Sequence, residues 1–117
     1  MSKCVKLDSL NWEQVRSGVC RKVVHGEGGT ISLNKLAAGH EPKPHQHAHE
    51  QIAIILKGRT KFTVGNTVYE LQENDIVVIP PNVVHFAEVI GDEDCYNLDV
   101  FVPRRGDYVE TALGSEK

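Results

Sequence analysis

The sequence predicts an all-β fold, a barrel or sandwich built as one domain. Three observations carry that reading. Short β-rich segments recur at regular spacing, Gly, Asn, Asp and Pro turn signals separate most of them, and the one long stretch without strand character holds Pro42 and Pro44, which exclude helix. A chain of 117 residues can bury one modest core and no second one. No internal repeat, linker or low-complexity segment divides it, so residues 1–117 read as a single domain with an N-terminal arm (1–17), a barrel (19–102) and a C-terminal tail (103–117).

The arm spaces Leu7, Leu10, Trp12 and Val15 loosely among polar residues, as expected of a segment docked on the barrel. Val19 to His25 alternates weakly and ends at Gly26-Glu27-Gly28-Gly29, a turn signal, before Thr30 to Leu36 resumes the alternation. From Gln51 the run Ile52-Ala53-Ile54-Ile55-Leu56 is apolar on both faces, the pattern of a strand covered on two sides. Gly65-Asn66 joins Lys61–Val64 to Thr67–Leu71 as a hairpin. Ile76–Ile79 is stopped by Pro80-Pro81, and Val84–Ile90 and Tyr96–Val102 form the last pair around an acidic turn. Asp107 to Lys117 reads as a short helical or frayed tail.

The chemistry concentrates in Gly39 to Gln51. His45 and His47 are one residue apart on an extended segment, so their imidazoles point to the same side. Gln51 adds an amide oxygen. His85 completes the set if the chain folds back so that two distant strands meet, which a closed barrel allows. Three imidazoles and one neutral oxygen suit a borderline divalent cation (nickel, zinc, manganese, iron or cobalt), with room for water or substrate. His49 could be a ligand, a residue that orients one, or a solvated turn residue. Isolated histidines are more often surface or satisfied core residues; the spacing, the Gly and Pro punctuation and the later Pro-Pro-Asn-x-x-His favour metal.

In the last strand Asn97, Asp99 and Phe101 share one face, and Tyr96, Leu98, Val100 and Val102 the other. A simple sheet would bury the aliphatic face. If the barrel interior is instead the polar site, Asp99 and Phe101 look in, and the aliphatic row needs cover from the arm or from the second subunit of a homodimer.

Formal charge is −3, with no dense Lys/Arg run, which argues against nucleic acid and anionic membrane surfaces as partners. Cys4, Cys20 and Cys95 are odd in number and lack metal-type spacing; with no secretory signal pattern, the expected compartment is the cytoplasm.

Gly39, His45, His47, Gln51 and Gly58, followed by Asn74-Asp75 and Pro80-x-Asn82-x-x-His85, resemble the two motifs of the cupin superfamily, with Gln51 in place of the usual Glu and Asn74 and Asn82 where Gly is usual. The resemblance implies a jelly-roll barrel, a double-stranded β-helix, holding a divalent metal inside. A narrower resemblance rests on Trp12-Glu13-x-Val15, Gly18-Val19-x-Arg21-x-Val23, His45-x-His47-x-His49-Glu50-Gln51 and Asp99-Val100-Phe101-x-Pro103-x-Arg105-x-Asp107-Tyr108. These look like the KdgF-type pectin-degradation cupins. That family implies conversion of 4,5-unsaturated monouronates from pectin or alginate into linear ketonised sugar acids. It implies metal ligands at His45, His47, Gln51 and His85, and a catalytic cluster of Asp99, Phe101 and Arg105. On this reading Asp99 is the general acid/base, Arg105 clamps a carboxylate and Phe101 walls the sugar. Gln51 leaves the site one charge more positive than Glu would, which favours redox-neutral chemistry on a small anionic sugar acid. The alternatives are a non-catalytic metal or sugar-acid binder, and a metal-dependent lyase or dioxygenase acting on another small acid.

Overall fold

Period-two alternation gives each segment one side for the interior, and the structure, a computed structural model describing residues 2–111, shows which side that is. Among the described residues the strands are β1 (Glu13–Arg16), β2 (Val19–His25), β3 (Thr30–Leu36), β4 (Glu50–Lys57), β5 (Arg59–Val64), β6 (Thr67–Gln72), β7 (Ile76–Ile79), β8 (His85–Val89) and β9 (Cys95–Val102). They form a six-stranded antiparallel sheet, ordered β1-β2-β3-β9-β4-β7, and a three-stranded one, β6-β5-β8. Segments 19–25, 30–36 and 76–79 fall where the alternation and turn signals put them.

Two elements were not expected. β1 pairs with β2 through Glu13↔Arg21 and Gln14↔Cys20, so the end of the arm is an edge strand. Its side chains are mostly exposed, so no burial pattern marks it in the sequence. Leu7–Ser9 forms a single 3-10 turn. The helical option for the tail is not taken by residues 107–111, which are turn, bend and irregular chain; residues 112–117 lie outside the described residues.

Register places side chains of the large sheet in rows on the inner face. One row reads His25, Thr30, Phe101, Gln51 and Ile79; the next reads Val23, Ser32, Asp99, Ala53 and Val77; a third reads Arg21, Asn34, Asn97 and Ile55. The interior is therefore split. Ala53, Ile55, Val77 and Ile79 pack with Val19, Leu36, Phe62 and Cys95 into an apolar cluster, and the β2-β3-β9 side is polar. Asn74 and Asn82 have positive φ (74° and 62°), which explains asparagine at positions where glycine is usual. Gly58 has φ of 87°, and a Cβ there would lie 2.7 Å from the Asp94 carbonyl, so glycine is required.

The outer face carries two aliphatic rows, Ile31-Val100-Ile52-Val78 and Leu33-Leu98-Ile54-Ile76. The arm covers only one end of this face: the Lys22 ammonium donates to the Leu7 carbonyl and lies over the Trp12 ring, which packs against Tyr96. Ile76 and Val78 stay more than half exposed, at 58% and 54%. The double cover expected for β4 is thus not supplied by the described residues, among which Ile52 and Ile54 are half-buried and Leu56 exposed.

Candidate metal centre

Extended chain before β4 brings His45 alongside β8. His45 and His85 exchange both backbone hydrogen bonds, 3.1 Å and 2.9 Å, and the Asn82 amide donates to the His47 carbonyl at 2.7 Å. Those contacts join the two histidine motifs. His45, His47 and His85 gather with their ligand atoms within 4.8 Å of one another. His85 is almost fully buried and His45 exposed, so the cluster runs from the barrel interior towards solvent.

Proton bookkeeping at these rings decides what the cluster can hold. Each Nδ1 lies beside a backbone carbonyl: Lys43 at 2.8 Å from His45, His49 at 2.9 Å from His47, Val83 at 2.9 Å from His85. A carbonyl can only accept, so each Nδ1 carries a proton. Burial lowers the His85 pKa to about 4 and, as the leading cause, also lowers that of His47, so at neutral pH these two rings are neutral. Their Nε2 atoms then have only lone pairs to present. Yet Gln51 Oε1, also an acceptor, sits 3.0 Å from His47 Nε2 and 3.1 Å from His85 Nε2. Acceptors facing acceptors repel unless a cation lies among them. The donor set fits a divalent metal, with the carbonyls fixing the tautomers.

The other end of the Gln51 amide contacts Asp99, an inward-facing carboxyl buried in row two. Asp99 also accepts from Asn34 Nδ2 at 2.6 Å and Asn97 Nδ2 at 2.7 Å. Burial pushes its pKa up, and the three amide donors and the Arg105 charge pull it down; the balance lies at about 7. A Glu at position 51 could not donate to Asp99.

Phe101 stands edge-on to His47 at 5.5 Å and to Tyr108 at 5.6 Å, as a wall of the site. Arg105 lies nearby, with one hydrogen bond from each guanidinium nitrogen. Nε and Nη2 reach the two Asp107 oxygens at 3.2 Å and 2.7 Å, Nη1 reaches Tyr108 Oη at 3.1 Å, and the guanidinium stacks on the Tyr108 and Phe101 rings. His49 is not one of the three histidines whose ligand atoms gather, and its buried Nδ1 has no partner among the described residues. A cavity of about 220 Å³ opens between the sheets, touching His45, His85, Gln51, Asp99 and Phe101. Arg21 also lines it. The sequence reasoning assigned Arg21 no role, although its alternation with Val23 and His25 on β2 was a usable signal.

Residues 32–101 match the model of the cupin domain. This chain is a cupin. Its three-histidine cluster and the fold together make it a metal-binding cupin. The solved structure of KdgF from Halomonas sp. superposes with a TM-score of 0.86 at 27% identity, covering 93% of this chain and all of that one. An uncharacterised Streptomyces coelicolor protein is 28% identical over 102 residues, 86% of this chain and 96% of that protein. An H2HPP isomerase from Bacillus subtilis is 32% identical over 59 residues, half of this chain and 25% of the isomerase. The jelly-roll expected from the motif resemblance is thereby the observed fold, and the small cupins of KdgF type are what the chain resembles.

Proposed function

We propose that this cupin converts a 4,5-unsaturated monouronate, from pectin or alginate breakdown, into its linear ketonised form. The observation that carries the proposal is Asp99, a buried carboxyl that lines the cavity and is held by the same amide whose oxygen faces the imidazoles. A carboxyl in that place can pass a proton to a substrate held in the cavity. Metal bound by His45, His47, Gln51 and His85 would supply Lewis-acid polarisation of a substrate oxygen. Ring opening leaves an enol. Asp99 gives its proton to the enol carbon, the enol oxygen loses its own proton to the carboxylate through solvent, and the ketone forms with no net change in protons or electrons. Phe101 walls the sugar, and a neutral Gln51 suits this redox-neutral step. The KdgF likeness supports the substrate class, and the partial likeness to an isomerase supports the reaction type.

Cys95 is buried with its thiol pushed up to about 11, and Cys4 and Cys20 are unpaired, which supports residence in a reducing cytoplasm. The aliphatic outer rows support a homodimer.

The test is loss of the unsaturated chromophore by metal-loaded protein. Asp99→Asn should lower turnover by about 10²- to 10⁴-fold with metal content unchanged. Wild-type-like turnover in that variant removes Asp99 from the mechanism. Oxygen uptake by the wild type points to a dioxygenase, and binding without turnover to a sensor.

A further inference from the structure

The cavity beside the metal centre has a pronounced charge asymmetry. Its lining includes Arg16, Arg21 and Lys43, against one acid, Asp99, in a chain whose formal charge is −3. Arg21 is the cation best prepared for a ligand. Its Nε donates to Glu13 at 2.9 Å and its guanidinium lies flat on the Tyr108 ring, 3.9 Å from the centroid. Those two contacts hold the fork in place at 18% side-chain exposure. The terminal Nη atoms meet no protein acceptor among the described residues, and neither does the Lys43 ammonium. By contrast Arg105 has its guanidinium on Asp107 and Tyr108 and does not line the cavity.

We propose that Arg21, supported by Arg16 and Lys43, binds the carboxylate of the sugar-acid substrate in the cavity beside the imidazoles. Arg105 is a positioning residue that acts through Tyr108 and Phe101. This assignment rests on the proposed uronate chemistry for its substrate class and goes beyond it in orienting the molecule. The register supports the orientation. Arg21 is on β2 and Asp99 on β9, two strands and two residues apart, a backbone separation of about 12 Å at the usual strand spacing and rise. Both side chains line the cavity, and in the proposed substrate the carboxyl carbon is only two bonds from the carbon that gains the proton, so one sugar acid touches Arg21 and Asp99 together. A cavity of about 220 Å³ has room for a monosaccharide. The fork pairs with a carboxylate in bidentate fashion, as an ammonium cannot.

Binding measured separately from turnover tests this. Titration calorimetry on the metal-loaded protein compares galacturonate with galactose, its neutral counterpart, neither of which carries the reactive double bond. The wild type should prefer the acid by roughly 10- to 100-fold, the worth of a hydrogen bond to a charged group. Arg21→Gln should remove that preference. Arg21→Lys should retain a part of it, and guards against misfolding of the Gln variant. Arg105→Gln should weaken acid and sugar alike and leave their ratio. Equal binding of acid and sugar by the wild type overturns the proposal, as does a ratio that survives Arg21→Gln but collapses in Arg105→Gln. If the wild type shows the Arg21-dependent preference but leaves the unsaturated uronate intact, the proposed reaction fails and the carboxylate site stands.

Discussion

Replacing Gln51 by Glu separates the two duties of that amide. Its oxygen lies 3.0 Å and 3.1 Å from the His47 and His85 Nε2 atoms, and its nitrogen serves Asp99. A carboxylate keeps the first duty and abolishes the second, while placing a second acid against Asp99. A hydrogen bond to a charged acceptor contributes about 1.5–3 kcal/mol. At about 1.4 kcal/mol per pH unit, its loss should raise the Asp99 midpoint by about one to two pH units above its value near 7 in metal-free protein, with like-charge repulsion adding to this. The sign of the stability effect follows. Because the folded midpoint already exceeds the ordinary 3.8, the native state binds this proton more tightly than the unfolded chain does. That advantage is complete below about pH 4 and is lost as pH rises through about 7; in Gln51→Glu the loss continues to higher pH. Carbon-13 NMR of the aspartate carboxyls, with urea unfolding between pH 5 and pH 9, reads both quantities. An unchanged Asp99 midpoint in the metal-free variant would refute the amide's role in setting the acid.

Two further outcomes are expected. His85→Ala should cut metal affinity by at least about 100-fold, more than the loss of an outer partner costs, and abolish the rise in melting temperature that the wild type shows on metal addition; metal retained after dialysis checks it. Ile54→Asp with Ile76→Asp, on the exposed aliphatic rows, should convert a homodimer to a monomer by light scattering with catalytic metal content intact, whereas a monomeric wild type would remove the assembly proposal.

Much of the fold was legible because turn chemistry is local. Gly65-Asn66, Asn74 and Asn82 mark left-handed or hairpin positions that the backbone does adopt. β1 was not legible, since an exposed edge strand carries no burial pattern. The donors of the metal centre could be named from spacing, but not the tautomers that point them. Those depend on the carbonyls of Lys43, His49 and Val83, which only the folded loops bring into range. Arg21 shows the limit of motif reasoning. The resemblance implies a carboxylate clamp at Arg105, whose guanidinium meets Asp107, and gives no role to Arg21, which far earlier in the chain lines the cavity.

By itself the sequence determined the succession of strands from β2 to β9, the residues that turn the chain, and a set of three imidazoles and an amide suited to a divalent ion. Alternation divides a strand into two faces without saying which one is interior, so the inward turn of Asn97, Asp99 and Phe101 was decided only by the long-range pairing of β9 with β3 and β4. The same pairing buries Asp99 among amide donors and so sets its proton affinity near neutrality, because desolvation and hydrogen bonding are properties of a place in space and not of a position in a chain.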